Sequence, residues 1–204
     1  MAFLRCPVAV RNKRVSARVF VASLFVFKLG LILGFVERSD AQDIPIPQRL
    51  HAAINAVQRN ARVVTRNDVD WKSCAPPEQD QIIKADLNGD GRLDYAALLL
   101  VRKKPIAKGE RDGTAGAVWL VAFLGRPDGS YKPVVLDRHG DTESTGLLDI
   151  AITLRAPGVV KEVRSGRQIT LTLPAIERVW CERSSTVFFW NRKAARFESV
   201  WTGD

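Results

Sequence analysis

The sequence predicts an α+β domain, mainly antiparallel β, in which one N-terminal helix packs on a sheet or a sandwich. Three observations predict it. Residues 47–62 repeat apolar side chains at helical spacing, while short apolar or alternating runs dominate from residue 82 to residue 201. Turn residues also stand between those runs at hairpin distances, which favours antiparallel neighbours over crossovers.

The helix is read from Leu50, Ala53, Ile54, Val57 and Ala61, which line one narrow stripe. Arg49, Gln58, Arg59 and Arg62 take the wet side, and Pro45 and Pro47 lead in. A stripe that narrow covers one face of a sheet. Asn67, Asp68, Asp70, Trp71 and the Pro76-Pro77 breaker follow. Strands are expected at 82–85 and 95–101, then a Lys-, Arg- and Gly-rich loop over 102–116. Runs 117–124 and 131–136 flank a Gly-Arg-Pro-Asp-Gly-Ser turn. Shorter strands are expected at 149–154 and 168–173. A terminal hairpin joins 186–190 to 196–201 through residues 191–195. Sandwich and single curled sheet both fit this pattern.

Between the first two strands lies Asp86-Leu87-Asn88-Gly89-Asp90-Gly91-Arg92-Leu93-Asp94. Side-chain oxygens at the first, third, fifth and ninth places are what a calcium ion takes in its flexible oxygen shell, with the Arg92 carbonyl as the main-chain ligand. Asp86, Asn88, Asp90, Arg92 and Asp94 are therefore the expected metal site, with Ca2+ as a structural cofactor. The spacing opens like an EF-hand, but Ala97 stands where that motif has its bidentate Glu, and strands flank the loop instead of helices. A strand, an Asx-Gly loop, Asp-Tyr and a second apolar strand resemble the calcium loops of FG-GAP/VCBS-type repeats, with Asp86, Asn88, Asp90 and Asp94 matching residue by residue. The resemblance covers about twenty residues without a second copy, so it implies the loop chemistry and not a propeller. The same residues also suit a hairpin turn with solvated acids.

Residues 1–41 read as a signal peptide. Arg5, Arg11, Lys13, Arg14 and Arg18 precede an apolar run over 19–36, and Ser39 and Ala41 set a cut before Gln42. An uncleaved anchor is the other reading, against which Lys28 near mid-run costs about 2.5–3.5 kcal/mol. Cys6 precedes the run and is no lipidation site. The chain has 31 basic and 22 acidic residues, of which the first 41 hold seven and two. Residues 42–204, the expected single domain, keep 24 against 20, a net +4 in place of +9. Most of the basic excess lies in the signal, which removes the charge argument for nucleic acid. The two cysteines left, Cys74 and Cys181, are expected to pair in an oxidising compartment. A loop of about a hundred residues closed that way is worth up to about 4.7 kcal/mol in the chain-entropy picture. The single calcium-like loop, the paired cysteines and the Trp-rich end resemble small bacterial exported proteins, a likeness that brings no activity with it.

Catalytic signals are sparse. His51 falls beside the helix stripe, and His139 lies in Asp137-Arg138-His139-Gly140-Asp141, expected as a charged loop after a strand. Two acids flanking an imidazole at alternate positions could orient a base or add a ligand, so an exported hydrolase using Asp137, His139 and Asp141 is one functional class. Ser184 and Ser185 lack the context of an exposed nucleophile, and Glu177 and Glu182 are acids without a defined partner. The other class is a non-enzymatic envelope module, braced by calcium, that binds a protein or a glycan. Trp180, Phe188, Phe189, Trp190, Phe197 and Trp201 crowd the last quarter, and Phe188 and Trp190 share one strand face as a candidate binding surface.

Overall fold

The third strand explains the architecture. Strand residues 94–101, Asp-Tyr-Ala-Ala-Leu-Leu-Leu-Val, are buried without exception, so both of their faces must be covered. The computed structural model describes residues 45–72, 74, 79–101, 116–142, 147–181 and 183–203, with 141 and 142 described by their backbone alone. In chain order the elements are helix α1 (Gln48–Val57), β1 (Ala61–Val63), a 3-10 turn (Arg66–Asp68), β2 (Ile82–Ala85), β3 (Asp94–Val101), β4 (Gly116–Gly125), β5 (Tyr131–Thr142), β6 (Ile150–Arg155), β7 (Gly158–Lys161), β8 (Gln168–Leu171), β9 (Ala175–Trp180), β10 (Ser184–Asn191) and β11 (Arg196–Trp201). The fold is α+β, mainly antiparallel β. The strands form one sheet in the order β1-β3-β4-β5 with β2 also on β3, a second in the order β11-β10-β9-β6, and a β7–β8 ribbon.

Each face of each sheet has its own cover. Ala96, Leu98 and Leu100 of β3, with Val118, Leu120 and Ala122 of β4, meet Ile150 and Ile152 of β6, Ile176 of β9 and Phe188 of β10. That is the core of a sandwich. The opposite face of the first sheet, Tyr95, Ala97, Leu99, Val121 and Phe123, is closed by Leu50, Ala53 and Ile54 of α1. On the outer face of the second sheet, Val187, Val200 and Ala175 pack against Val160 and Leu171 of the ribbon. The helix is tied to the β4–β5 turn by Arg49, whose Nη1 donates to the Asp128 carbonyl at 2.7 Å.

Two expectations are corrected here. Ala61 does not extend the helix: Gln58 leaves it with φ −158° and ψ 125°, and Ala61 pairs with Val101 at the edge of β3. Helical spacing and strand position coincide at Ala61 because an apolar residue suits either, and the free edge of β3 decides. Residues 137–141 are not a loop but the second half of β5, where Asp137, Arg138, His139 and Asp141 pair with Leu120, Trp119, Val118 and Ala117 of β4. Register shifts on either side of the 118–120 stretch let the strand run on past its apolar part. Two strands carry no clear sequence signal, β7 and β9. The expected signal peptide at 1–41, Pro76, Pro77 and the 102–115 part of the basic loop lie outside the described residues. Among the described residues no helix is long and apolar enough to cross a membrane.

Candidate functional site

The acidic loop is built by its own backbone. Asp86 accepts the N–H groups of Gly89 at 2.7 Å, Asp90 at 3.2 Å and Gly91 at 2.9 Å. Asn88 Oδ1 accepts the Asp90 N–H at 2.9 Å, and Asp90 Oδ1 accepts the Arg92 N–H at 2.8 Å. The Asn88 and Asp90 bonds are Asx turns, and with the Asp86 bonds they curl the loop around its side-chain oxygens. Gly89 and Gly91 supply the left-handed backbone, with φ of +75° and +79°. Asn88 Nδ2 and Arg92 Nη1 each lie 3.2 Å from Asp90 Oδ2, so the Asn88 and Asp90 side chains touch. Burial pushes the Asp90 carboxyl up, and the hydrogen bonds from Arg92 and Asn88 together with the Arg92 charge outweigh it, leaving it below its ordinary value.

Asp94 plays a different part. Fully buried at the start of β3, it accepts Leu87 N–H at 2.9 Å and Asn88 N–H at 3.3 Å on one oxygen, and Gly125 N–H at 2.8 Å on the other. The carboxylate thus brackets the loop to the end of β4. Gly125 has to be glycine there, because a Cβ would stand 2.7 Å from the Leu93 carbonyl oxygen. Burial raises the Asp94 pKa, against the pull of those three donors. Among the described residues no three acidic, histidine or cysteine side chains are grouped as a metal site. Asp86, Asn88, Asp90 and Arg92 keep solvent exposure in the loop, while the Asp94 carboxylate is fully buried on the Leu87, Asn88 and Gly125 N–H groups.

The loop does not end at its own oxygens. A Cβ on Gly89 would lie 2.5 Å from Arg192 Nη2 and 3.1 Å from both δ-carbons of Leu173, so the β10–β11 turn and the β8–β9 connection rest directly on the loop. Those same segments enclose a cleft of about 290 Å³ lined by residues 170–173 and 189–193. Trp190, half-buried, meets Phe197 edge to face with ring centres 5.2 Å apart. Asn191 Oδ1 accepts the N–H groups of Lys193 and Ala194, which sets the turn that carries Arg192 and Lys193.

Phe188, expected beside Trp190 on a binding surface, is only 6% exposed and belongs to the inter-sheet core. The strand alternation holds, but both faces of the second sheet are covered, so Phe188 packs inward while Val187 and Phe189 pack on the ribbon. Of the expected pair Phe188 and Trp190, Trp190 lines the cleft, with Phe189 beside it.

The hydrolase candidates are distributed differently. Asp137 and His139 share the inward face of β5, where Asp137 is bound by the Arg178 guanidinium of β9. Arg178 also reaches Thr186 Oγ1 at 3.2 Å. Burial draws the Arg178 pKa down while Asp137 draws it up. His139 is exposed and lies edge-on to the Trp180 indole, 4.4 Å between ring centres, and among the described residues no carboxylate hydrogen-bonds to it. The Asp141 side chain and Glu182 lie outside the described residues. Glu177 pairs with Arg155 at 3.0 Å, Ser184 and Ser185 sit in the β9–β10 pairing, and His51 is exposed on α1.

Cys74 and Cys181 form a disulfide with Cα atoms 4.6 Å apart, joining the segment after the 3-10 turn to the β9–β10 turn. Set against family models, curated proteins and solved structures, the chain matches none.

Proposed function

We propose that this is an exported, non-catalytic binding module of the cell envelope whose ligand cleft is braced by one calcium ion. The observation that carries the reading is the seat of Gly89 on Leu173 and Arg192: the acidic loop forms the support of the cleft. A calcium ion would be held by Asp86, Asn88 and Asp90 with the Arg92 carbonyl, and Asp94 keeps the loop in register from behind. Hard oxygen donors in a glycine-turned loop are the ligand set that ion prefers. Export is supported by the 1–41 charge and apolar pattern and by the disulfide, a bond that persists in oxidising compartments. The binding role is favoured over hydrolysis because Asp137 is engaged by Arg178 and His139 leans on an indole instead of a carboxylate.

The test is a melt of the protein in excess calcium and in chelator, beside calorimetric titration with calcium. Ligand at a hundred times its dissociation constant stabilises the native state by about 2.7 kcal/mol, and Asp90→Ala removes the effect. No heat and an unchanged melt overturn the calcium reading. Loss of the biological phenotype on His139→Ala, with Arg192→Gln tolerated, moves the function to the hydrolase.

A further inference from the structure

The cleft beside the acidic loop has a composition that specifies its ligand. Its lining brings together the apolar residues Leu173, Phe189 and Trp190 over the buried Leu171, the polar residues Thr170, Thr172 and Asn191, and the cations Arg192 and Lys193. Among the described residues no acidic side chain lines it. At about 290 Å³ it stands at the small end of small-molecule sites, which run from roughly 300 to 1,000 Å³. Its walls are held in advance. The Asn191 side chain fixes the turn, Trp190 is braced by Phe197, and Arg192 and Leu173 press on Gly89. Groups fixed before binding lose little freedom when a ligand arrives, so even a small cleft can hold one.

We infer that this cleft binds an acidic saccharide of one or two sugar units, with the sugar carboxylate on Arg192 and Lys193. A guanidinium fork receives a carboxylate through two parallel hydrogen bonds, and a lysine adds a point charge beside it. Hydroxyls of the sugar meet Thr170, Thr172 and the Asn191 amide, whose oxygen is already engaged and whose NH2 is the group left to donate. The C–H face of the sugar rests on the apolar part of the lining. An extended acidic peptide suits the cleft less well, because a volume of about 290 Å³ takes only a small molecule. The inference rests on the binding-module reading. It adds that calcium favours the ligand: Asp86 accepts the Gly89 N–H at 2.7 Å and Arg192 lies against the same glycine, so a cation bound in the loop offsets the loop's repulsion of a carboxylate.

The experiment is calorimetric titration of the full protein with digalacturonate, with lactose as the neutral sugar and triglutamate as the acidic peptide, in calcium and in chelator. Saturable digalacturonate binding, no lactose heat, weaker binding in chelator and at least a tenfold loss in Arg192→Gln/Lys193→Gln support the inference, provided the variant melts as the parent does. Calcium heat without digalacturonate heat overturns the saccharide site and leaves the calcium loop standing. Triglutamate binding as tightly as digalacturonate overturns it in favour of a peptide. Digalacturonate binding that is equal in calcium and chelator keeps the cleft and overturns the calcium coupling.

Discussion

Gln81 Oε1 accepts the backbone N–H of Ile152 at 2.6 Å, a hydrogen bond from the first sheet to the second at a point closed to solvent. Every polar group of Gln81 is used. Its N–H donates to the Val64 carbonyl at 3.0 Å, its carbonyl accepts Leu98 N–H at 2.9 Å, and its Nε2 donates to the Gln79 carbonyl at 2.7 Å. Gln79 returns to the same β6 residue, donating to the Ile152 carbonyl at 3.4 Å. A buried amide with all its groups satisfied is stabilising. The same amide cut away leaves orphans.

Gln81→Leu should therefore cost about 1–3 kcal/mol, although it places an apolar side chain in an apolar site. The loss comes from the Ile152 N–H, which no longer has an acceptor in a place water does not reach. Urea unfolding should show a lower midpoint with an unchanged slope. A midpoint equal to that of the parent would mean that the amide does not hold the sheets.

Asp94 and Asp90 should separate in a mutational test. Asp94→Ala strands the N–H groups of Leu87, Asn88 and Gly125 and should destabilise the fold by roughly 3 kcal/mol or more, with or without calcium. Asp90→Ala loses exposed contacts only, so its melt in chelator should stay within about 0.5 kcal/mol of the parent. Equal destabilisation by both would contradict the division between bracket and ligand.

Asp68 should govern part of the acid denaturation. Burial alone would raise its pKa, but the Arg62 guanidinium at 2.7 and 2.8 Å and the Thr65 N–H and hydroxyl at 2.7 and 2.8 Å bring it from 3.8 to about 2. A carboxyl with a depressed native pKa adds stability above its unfolded pKa and loses it as pH falls through the native one. The contribution is about 2 kcal/mol at neutral pH, and it drains between about pH 4 and pH 2. Denaturant midpoints taken across that window should fall more steeply in the parent than in Asp68→Asn.

Removing the disulfide is the fourth test. Cys74→Ser with Cys181→Ser should cost about 2–5 kcal/mol, because the bond closes a sequence separation of 107 residues in the unfolded chain. Peptide mapping of non-reduced exported protein should show the 74–181 link, and free thiols alkylated in native material would contradict it.

Much of the fold is legible in the residues because burial leaves a direct imprint on them. The unbroken apolar run of β3 announces a strand covered on both sides, the Leu50–Ile54 stripe announces a helix lying on a sheet, and Asn191 announces the last turn. β9 is hidden for a specific reason. Its inward positions are Ile176, Arg178 and Trp180, and a charge at the middle one breaks the alternation that marks a strand. That charge is tolerated because Asp137 reaches it from the facing sheet, a partner 41 residues away that no local pattern reveals. The second half of β5 is hidden for the reciprocal reason.

By itself the sequence determined the class of the fold, the cysteine pair, and the loop in which Asp86, Asn88 and Asp90 gather oxygens. Those follow from local periodicity, from cysteine count and from spacing within a few residues of chain. Only the tertiary structure decided that the sheets form a sandwich, that Phe188 lies inside it, that Asp94 is a buried bracket, and that Gly89 rests on Arg192. Each of these depends on which face meets which across long separations, and packing sets that by satisfying buried surface and buried polar groups together.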